Sequence, residues 1–388
     1  MARIALAWEI GGGLGHVSRL LVVAKRFREL GHECIFVFSD IEIAGALVQA
    51  EGFEVLPAPK ASYWLQTNAT GRLGSHGDIL AHLGYSVEFR LGPILTAWKS
   101  ILRQINPDIV ILDYAPTARL AVGVKLPTVV IGDGFTIPPA VDGRFPRFRN
   151  VPPIIDEAAM LKVIANVQSD TNEWCPKFLP ELFTGDKVFV ATLPQLDCFS
   201  EQRDITASGP LVLPPPLANG IPKQKFFAYL AADKKGLPQL IEALHHSDLN
   251  GGVFLRNLKS NTSNPLQKNG LIIFKDAQDM SEMANDAAVI IHHGGIGTCV
   301  TALGLGRPQI ILPLHLEQRM NAESLKRTGA AVILSGWQKL SPDQIIQAIK
   351  AAIEDAPLRN RARQVAQGIA VNRHASLDYI ICECQKLL

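Results

Sequence analysis

Short apolar runs alternate with amphipathic stretches along the first half of the chain. Residues 3–8 and 33–38 are apolar runs, and residues 16–30 between them have the spacing of a helix that ends at Gly31. This pattern predicts a βαβ unit. The alternation continues with predicted helices near 41–51 and 87–104 and predicted strands at 53–56, 108–112 and 127–131. Because these strands are apolar on both faces, we expect a parallel sheet that is covered by helices on both sides.

The same alternation starts again in the second half, so the chain contains two similar halves. Between them, residues 209–222 contain five prolines and two glycines, which neither a helix nor a central strand accommodates. We therefore predict a linker there. Beyond Pro342 the chain is predicted to be helical to Leu388, with a break at Pro357. The strands predicted after the linker lie near 226–231, 252–255, 271–274, 288–291, 309–312 and 331–334.

The composition disfavours several classes of function. In 388 residues, 38 Lys plus Arg against 36 Asp plus Glu give a net charge of +2, so no basic field indicates nucleic-acid binding. No apolar run approaches the roughly 20 residues that a membrane span needs. Residues 1–8 are too short for a signal peptide, and we expect a cytoplasmic protein. The six cysteines include no Cys-x-x-Cys pair, so we expect them to be reduced and predict no metal site.

The first candidate site is a glycine-rich turn between the first strand and the first helix. Gly13 and Gly15 allow a ligand to approach the backbone, and the helix that follows favours negative charge at its start. As a dinucleotide fingerprint the turn is weak, because Ser18 stands where a third glycine belongs. His16 lies in the first helical turn, where a neutral imidazole can accept a proton from a hydroxyl group. The alternative is a histidine that only caps the turn.

Asp113 is the candidate partner of His16. It ends the apolar run at 109–112, so a parallel sheet places it at the same carboxyl edge as the first turn. A carboxylate there would orient the imidazole and stabilise its charged form. The alternative role of Asp113 is to cap the helix that follows it.

The second glycine turn, in the C-terminal half, is the sharper signal. A buried strand ends in histidine, three glycines follow, and a helix begins near Thr298. Backbone amides, the helix dipole, a hydroxyl and an imidazole would converge there, which suits a diphosphate. After the next strand, Glu317 and Gln318 stand side by side and can bind vicinal sugar hydroxyls. The residues of the turn that we assign to the diphosphate are His293, Gly294, Gly295, Gly297 and Thr298.

These motifs resemble those of the family 1 glycosyltransferases with the GT-B fold. The family's donor motif, His-x-Gly-x-(Gly/Asn)-(Ser/Thr), Gly-x-Pro and Pro-x-x-x-(Asp/Glu)-Gln-x-x-Asn-Ala, is similar to an ordered set of residues in this chain. The set is His293, Gly295, Gly297, Thr298, Gly306, Pro308, Pro313, Glu317, Gln318, Asn321 and Ala322. The resemblance implies an α/β chain with two Rossmann-like parallel-sheet domains facing a central cleft.

The resemblance also implies the division of labour. Residues 1–208 are expected to bind the acceptor and 225–356 the nucleotide sugar, with a linker at 209–224 and C-terminal helices at 357–388 that pack back toward the first domain. His16 matches the base that activates the acceptor, and Asp113 matches its orienting acid. The donor turn would bind the diphosphate, Glu317 and Gln318 the sugar, and Gln278 the nucleobase. Gly13 and Gly15 would belong to the loop at the acceptor cleft.

Two departures from the family bear on the donor. Many UDP-sugar enzymes place a glutamate three residues after the Ser/Thr of the donor motif to hold the ribose hydroxyls, and here that residue is Thr301. This favours a deoxyribose donor such as a dTDP-sugar, although some UDP-sugar members also lack the glutamate. Plant-like members stack a tryptophan on uracil, but Lys275 stands at that position and Phe274 is the nearest aromatic residue.

The implied reaction is a direct displacement with inversion at the sugar carbon. His16 removes the acceptor proton, the hydroxyl attacks C1, and the nucleoside diphosphate leaves toward the helix start. No Asp-x-Asp segment lies near the donor turn, so we expect neither a metal nor another cofactor. The partners would be a nucleotide-sugar donor and an acceptor hydroxyl of unknown structure.

Two other functions stay open at this level. The spacing Gly13-x-Gly15-His16-x-x-Arg19 also resembles the opening of the UDP-sugar hydrolase of pseudaminic acid synthesis, in which His16 would activate water. A non-catalytic protein that binds nucleotide sugars is the other alternative.

Two loop regions are the expected walls of the acceptor site, at 57–80 and 134–155. Within the second, arginines at 144, 147 and 149 alternate with Phe145 and Phe148. This pattern suits a peripheral contact with lipid or with an anionic acceptor. It also suits a solvated loop whose aromatic rings pack inward.

Overall fold

The computed structural model divides the chain into two compact units. The first comprises Met1–Pro194, Phe199–Leu211 and Ser376–Leu388, and the second comprises Gln195–Cys198 and Val212–Ala375. The predicted linker at 209–224 spans the change from one unit to the other. The structure describes residues 1–12, 14–60, 73–168, 173–220, 222–232, 234–256, 267–268, 270–274, 276, 278–371 and 375–388.

The first unit is built on a six-stranded parallel sheet. The strands run in the order β3-β2-β1-β4-β5-β6, which places the first strand of the chain near the centre. They are β1 (Arg3–Trp8), β2 (Glu33–Phe38), β3 (Glu54–Pro57), β4 (Ile109–Asp113), β5 (Thr128–Gly132) and β6 (Lys187–Val190). The helices are α1 (Gly15–Glu29), α2 (Ile41–Ala50), α3 (His76–His82), α4 (Glu88–Ile105), α5 (Pro116–Val122) and α6 (Glu157–Gln168).

Both faces of this sheet are buried, as the continuous apolar strands predict. Successive side chains of a strand point to opposite faces. Ile4, Leu6 and Trp8 therefore join one hydrophobic cluster with α1, while Ala5 and Ala7 join a second cluster with α4 and α5.

The second unit has a seven-stranded sheet in the order β13-β12-β11-β7-β8-β10-β9. Its pairs are parallel, except that the two-residue β9 runs antiparallel to β10. The strands are β7 (Gln224–Ala231), β8 (Gly251–Arg256), β9 (Gln267–Lys268), β10 (Leu271–Phe274), β11 (Ala287–His292), β12 (Gln309–Ile311) and β13 (Ala331–Ile333). The helices are α7 (Leu237–His246), α8 (Met280–Asn285), α9 (Ile296–Leu305), α10 (Leu316–Thr328), α11 (Pro342–Glu354) and α12 (Ala356–Val371).

One further helix, α13 (Leu377–Gln385), belongs to the first unit. Ile380, Ile381 and Cys384 lie in the same hydrophobic cluster as the buried face of α1. Two ion pairs fix the helix at its ends: Arg26 binds Asp378 at 2.9 Å, and Lys187 binds Glu383 at 2.6 Å. The core of the first unit is thus assembled from both ends of this sequence.

The two predicted parallel sheets are confirmed, and several details of the prediction are wrong. β6 (Lys187–Val190) was not predicted. The helical break lies at Asp355, and Pro357 is accommodated in the first turn of α12. The irregular stretch expected at 57–80 is interrupted by α3, and residues 61–72 of it lie outside the described residues.

No helix among the described residues combines the length and the apolar character that crossing a bilayer requires.

His76, the first residue of α3, is completely buried in the first unit. Its ring is surrounded by aromatic rings at centroid distances of 4.8 to 6.0 Å. Burial among them lowers the pKa of His76 to about 3, so the imidazole is neutral in the folded protein at neutral pH. The rings are those of Tyr114, Phe135, Phe145, Phe148, Phe183 and Phe199.

The burial of His76 predicts a pH dependence of folding stability. An unfolded histidine binds a proton near pH 6.5, whereas folded His76 does not until about pH 3. Between pH 6 and pH 4 the unfolded state therefore binds one more proton than the folded state. As the pH is lowered through this range, the free energy of unfolding of the wild type falls by about 1.4 kcal/mol per pH unit from this group. His76→Phe removes this contribution. Relative to the wild type, the free energy of unfolding of the variant should therefore rise by about 1.4 kcal/mol for each unit by which the pH is lowered, as measured by urea titrations. Parallel pH dependences of the two proteins would contradict the assignment.

Candidate functional site

The first site lies at the carboxyl edge of the first sheet, where β1, β4 and β5 are neighbours. α1 begins at Gly15, which places His16 in its first turn, and Asp113 is the last residue of β4. Asp113 lies in register with Trp8, the last residue of β1. The topology of the sheet thus brings together two side chains that are 97 residues apart in sequence.

His16 and Asp113 form a buried hydrogen-bonded pair. His16 Nδ1 lies 2.9 Å from Asp113 Oδ1, and the Asp113 side chain is completely buried. The residue at the cap of α5 is Ala115, so Asp113 does not cap that helix. Burial opposes the ionisation of Asp113, but the Arg19 guanidinium and His16 outweigh it and hold the pKa of this carboxyl below its usual value. The ionised carboxylate accepts the Nδ1 proton of His16.

Arg19 and Asp133 complete this cluster, and neither was predicted from the sequence as a residue of the site. Arg19 lies one helical turn after His16, and its guanidinium bridges Asp113 Oδ2 at 2.7 Å and Asp133 Oδ2 at 2.8 Å. Burial alone would lower the pKa of Arg19, but the two carboxylates raise it above its usual value. The available signals were the spacing of Arg19 from His16 and the position of Asp133 directly after β5.

Aromatic rings and a glycine enclose His16. The Trp8 ring stacks on the imidazole at 4.9 Å, and the Tyr114 ring lies parallel to it at 6.2 Å. Gly11 has φ +96°, and a Cβ atom there would lie 2.8 Å from His16 Nε2. The turn therefore needs glycine at position 11 to leave room for Nε2. Gly15 is exposed with open space around it, and Gly13 lies outside the described residues.

The second site lies at the carboxyl edge of the second sheet, between β11 and α9. Gly294 has φ +92°, which turns the chain from the strand toward the helix. Gly295 caps α9, and both Gly295 and Gly297 are exposed, with no side-chain or backbone atom within 4 Å of an added Cβ. The amides of the first helical turn, which includes Thr298, have no acceptor within the helix. This combination suits an anion such as a diphosphate.

The two histidines of this turn are held by the protein itself. His292 Nε2 binds Gln309 Oε1 at 2.9 Å, and its Nδ1 accepts the amide proton of Gly294 at 3.0 Å. His293 Nδ1 donates to the carbonyl of Leu312 at 2.8 Å, and its Nε2 accepts the amide proton of Ala231 at 3.1 Å. His293 thus joins β7, β11 and the end of β12. In this geometry neither of its ring nitrogens points a proton at a diphosphate.

Burial keeps both histidines uncharged. It lowers the pKa of each to about 4, and the positive charges of Arg256 and Lys234 act in the same direction on His293. Arg256 ends β8 in register with Ala231, the residue whose amide binds His293. Neither Lys234 nor Arg256 was singled out from the sequence. Positive charge at this edge therefore comes from them and not from the histidine of the motif.

The other residues predicted for the donor lie on α10 or after β10. Glu317 and Gln318 occupy the first turn of α10, where Gln318 Oε1 accepts the amide proton of Leu314 at 2.9 Å. This leaves the amide protons of Gln318 facing the other way. Gln278 donates to the carbonyl of Asp276 at 2.9 Å. Asn321 of the motif is buried and donates a hydrogen bond to the carbonyl of Gly294 at 3.1 Å, so α10 stabilises the turn through this bond.

Phe274 does not replace the missing tryptophan as an exposed ring. It is half-buried and lies 6.4 Å from the ring of Phe227. Lys275 lies outside the described residues.

The loop with alternating arginines and aromatic residues packs its rings inward. Phe145 is buried, and Phe145 and Phe148 both contact the ring of His76. Of the two interpretations left open by the sequence, the structure agrees with the solvated loop whose aromatic rings pack inward.

All six cysteines are free thiols, and Cys34, Cys299 and Cys384 are buried. Within the described ranges, His, Cys, Asp and Glu side chains form no group of three that suits a metal ion.

Comparison with protein families and known proteins agrees with this architecture. The family model for the C-terminal domain of erythromycin biosynthesis protein CIII-like proteins matches residues 272–375. A PGL/p-HBAD biosynthesis glycosyltransferase from Mycobacterium tuberculosis is 25% identical over 302 residues, which are 70% of this chain and 69% of that protein. An uncharacterized glycosyltransferase from Methanosarcina acetivorans is 26% identical over 368 residues, 92% of this chain and 91% of that protein.

A solved structure extends the similarity over the whole fold. The crystal structure of the glycosyltransferase VinC in complex with dTDP matches with a TM-score of 0.70 at 18% identity and covers 99% of both chains. The comparisons confirm the resemblance that the order of the motifs indicated.

The two glycines at the start of α9 predict responses of very different size to an added methyl group. At Gly294 a Cβ would lie 2.9 Å from the carbonyl oxygen of Gln318, and φ is +92°. Gly294→Ala should therefore cost at least about 2 kcal/mol of unfolding free energy. Gly295→Ala is the matched control, because its φ is −65° and its Cβ meets open space, and should change stability by less than about 0.5 kcal/mol. Urea unfolding measures both, and equal losses would show that the turn is not constrained as described.

Proposed function

We propose that this chain, a glycosyltransferase with the GT-B fold of the family 1 type, transfers a sugar from a dTDP-sugar to an acceptor hydroxyl with inversion. The observation that carries the proposal is the buried pair of His16 and Asp113, with Nδ1 and Oδ1 at 2.9 Å. A buried carboxylate that fixes one imidazole nitrogen is the arrangement that general-base chemistry needs.

His16 acts as the base through Nε2. Because Asp113 is ionised and accepts the Nδ1 proton, the lone pair of the neutral imidazole is on Nε2. Glycine is required at position 11 beside Nε2, because a methyl group on its Cα would lie 2.8 Å from this nitrogen. The acceptor hydroxyl donates its proton to Nε2.

The bonds change in one displacement. The acceptor oxygen forms a bond to C1 of the sugar while the bond from C1 to the diphosphate oxygen breaks. The proton of the acceptor moves to His16 Nε2, and the electron pair leaves with the nucleoside diphosphate. Attack from the face opposite the leaving group inverts the configuration at C1.

The second unit holds the donor and stabilises the leaving charge. Amides in the first turn of α9 and the Thr298 hydroxyl bind the diphosphate, and Gly295 and Gly297 keep its approach open. Lys234 and Arg256 add positive charge near the same edge, as their effect on His293 indicates. His293 contributes by fixing the strand ends. With these charges in place the reaction needs no metal.

Glu317 and Gln318 bind the sugar in this proposal. The Glu317 carboxylate accepts hydrogen bonds from sugar hydroxyls. Gln318 donates to the sugar through Nε2, because its Oε1 is bound to the amide of Leu314. Gln278 contacts the nucleobase.

The preference for dTDP over UDP rests on Thr301. Thr301 lies on α9 three residues after Thr298, where a threonine has no carboxylate for a pair of ribose hydroxyls. A deoxyribose lacks one of those hydroxyls, so a donor with deoxyribose loses fewer hydrogen bonds than a ribose donor when threonine replaces the glutamate. The similar structure of VinC contains dTDP, which supports the same choice.

Thermal unfolding of the whole chain with dTDP or UDP tests the donor site. A ligand that binds only the folded state stabilises it by about 2.7 kcal/mol at 100 times its Kd, so dTDP should raise Tm more than UDP at equal concentration. Thr301→Glu should reverse the order by restoring a carboxylate for the second ribose hydroxyl. The donor proposal is wrong if neither nucleotide raises Tm.

Turnover assays test the base. We expect dTDP-glucose, or a deoxysugar analogue, to release dTDP with phenolic or aliphatic alcohol acceptors. His16→Ala should reduce kcat by about 10² to 10⁴-fold. Gly11→Ala should act in the same direction, because its methyl group and positive φ displace Nε2, whereas Gly12→Ala should stay within a few-fold of wild type since its Cβ meets nothing within 4 Å.

Two further conditions in the same assay separate the alternatives. EDTA should leave the rate unchanged, and a large loss would contradict the metal-free mechanism. Release of free sugar that does not depend on an acceptor would favour the hydrolase. Binding of dTDP without turnover on any acceptor, with no effect of His16→Ala, would favour a non-catalytic protein.

A further inference from the structure

The buried charges around His16 form a set that extends beyond the pair of base and acid. Arg19 donates one hydrogen bond to Asp113 and another to Asp133, at 2.7 and 2.8 Å. The side chains of Arg19, Asp113 and Asp133 are 8%, 0% and 2% exposed, so water screens their charges weakly. Together, the guanidinium of Arg19 and the carboxylates of Asp113 and Asp133 carry one net negative charge.

We propose that Arg19 and Asp133 are positioning residues that set the protonation of His16 and the orientation of Asp113. The inference rests on the proposed function, since it concerns the protonation and the orientation of the proposed base. Arg19 offsets one of the two carboxylates, so His16 faces one net negative charge instead of two. The imidazole therefore binds a proton less readily than it would beside two uncompensated carboxylates, and the proton that it gains in the reaction neutralises the set.

The geometry also restricts how Asp113 can turn. Arg19 binds Oδ2 and His16 binds Oδ1, so the carboxylate is held by both oxygens. Asp133 anchors Arg19 in turn, and its own Oδ1 accepts the amide protons of Phe135 and Thr136, both at 3.0 Å. The orientation of the base is thus fixed through the turn that follows β5.

Other ionisable groups near this edge are bound to different partners. Glu9, which follows β1, accepts the amide proton of Thr117 at 2.8 Å, and burial raises its pKa to about 7. Tyr85 binds the Thr117 hydroxyl at 2.7 Å. The His76 ring lies 5.9 Å from the Tyr114 ring and is neutral at neutral pH. Glu9 is constant across the variants below, so its titration does not distinguish them.

The proposal predicts opposite effects of removing the positive and the negative member. Arg19→Ala leaves two carboxylates beside His16, so the imidazole should titrate at a pH at least one unit higher than in wild type. Asp133→Asn leaves no net negative charge, so the titration should move to lower pH. A role in packing alone would not move the two variants in opposite directions.

The measurement is a pH titration of the full chain with ¹⁵N-labelled histidine, followed by NMR, with the His16 signals assigned from His16→Gln. Arg19→Lys keeps the charge and should stay within half a unit of wild type. Guanidinium chloride at 50 mM should return the Arg19→Ala titration toward wild type. Arg119→Ala is the matched control: Arg119 is also buried, but its guanidinium binds the carbonyls of Thr184 and Gly123, so its loss should leave His16 unchanged.

The rate profile gives the second readout. The acid limb of kcat/KM should move up in Arg19→Ala and down in Asp133→Asn, and a shift of one unit is a tenfold change in rate on that limb. If Arg19→Ala does not fold, Arg19→Lys and Asp133→Asn carry the test. Unchanged titration of His16 in Asp133→Asn, or shifts of both variants in one direction, overturns the proposal. Opposite shifts in a protein without transferase activity would support the charge network and reject the proposed function.

Discussion

The first unit depends on keeping a buried carboxylate charged. Asp113 has no contact with bulk water, and an isolated charge in such a place is costly. Its two oxygens are satisfied by two cationic or proton-donating partners from α1, His16 and Arg19. This arrangement depends on the order of the strands, because β1, β4 and β5 must be neighbours for the side chains of His16, Arg19, Asp113 and Asp133 to meet.

The second unit shows a different arrangement at the carboxyl edge of its sheet. Its turn at β11 and α9 offers backbone amides, open glycines and neutral histidines whose nitrogens hold neighbouring strands. The cations there, Lys234 and Arg256, are half-buried; Arg256 ends β8, and Lys234 lies three residues after β7. The first unit thus presents a buried cluster of charges at the edge of its sheet, and the second presents exposed glycines and backbone amides.

Most of the architecture could be predicted, because continuous apolar strands and glycine turns depend on local sequence. The expectation that Asp113 reaches His16 followed from the rule that parallel strands end at one edge. Arg19 and Asp133 were missed because their contact spans 114 residues and depends on the reach of a long side chain. The hydrogen bonds of His293 depend on where two other strands end, which no motif records. The roles assigned to the site residues remain predictions.

The placement of α13 has a consequence for how the protein is made. The ribosome synthesises α13 only after the whole second unit, yet Ile380, Ile381 and Cys384 belong to the core around α1. A nascent chain that has emerged as far as α12 therefore contains every described strand of both sheets but lacks the three residues of α13 that complete the hydrophobic cluster around α1. Domains generally fold in the order of their synthesis; here the unit that begins first is the last to be completed.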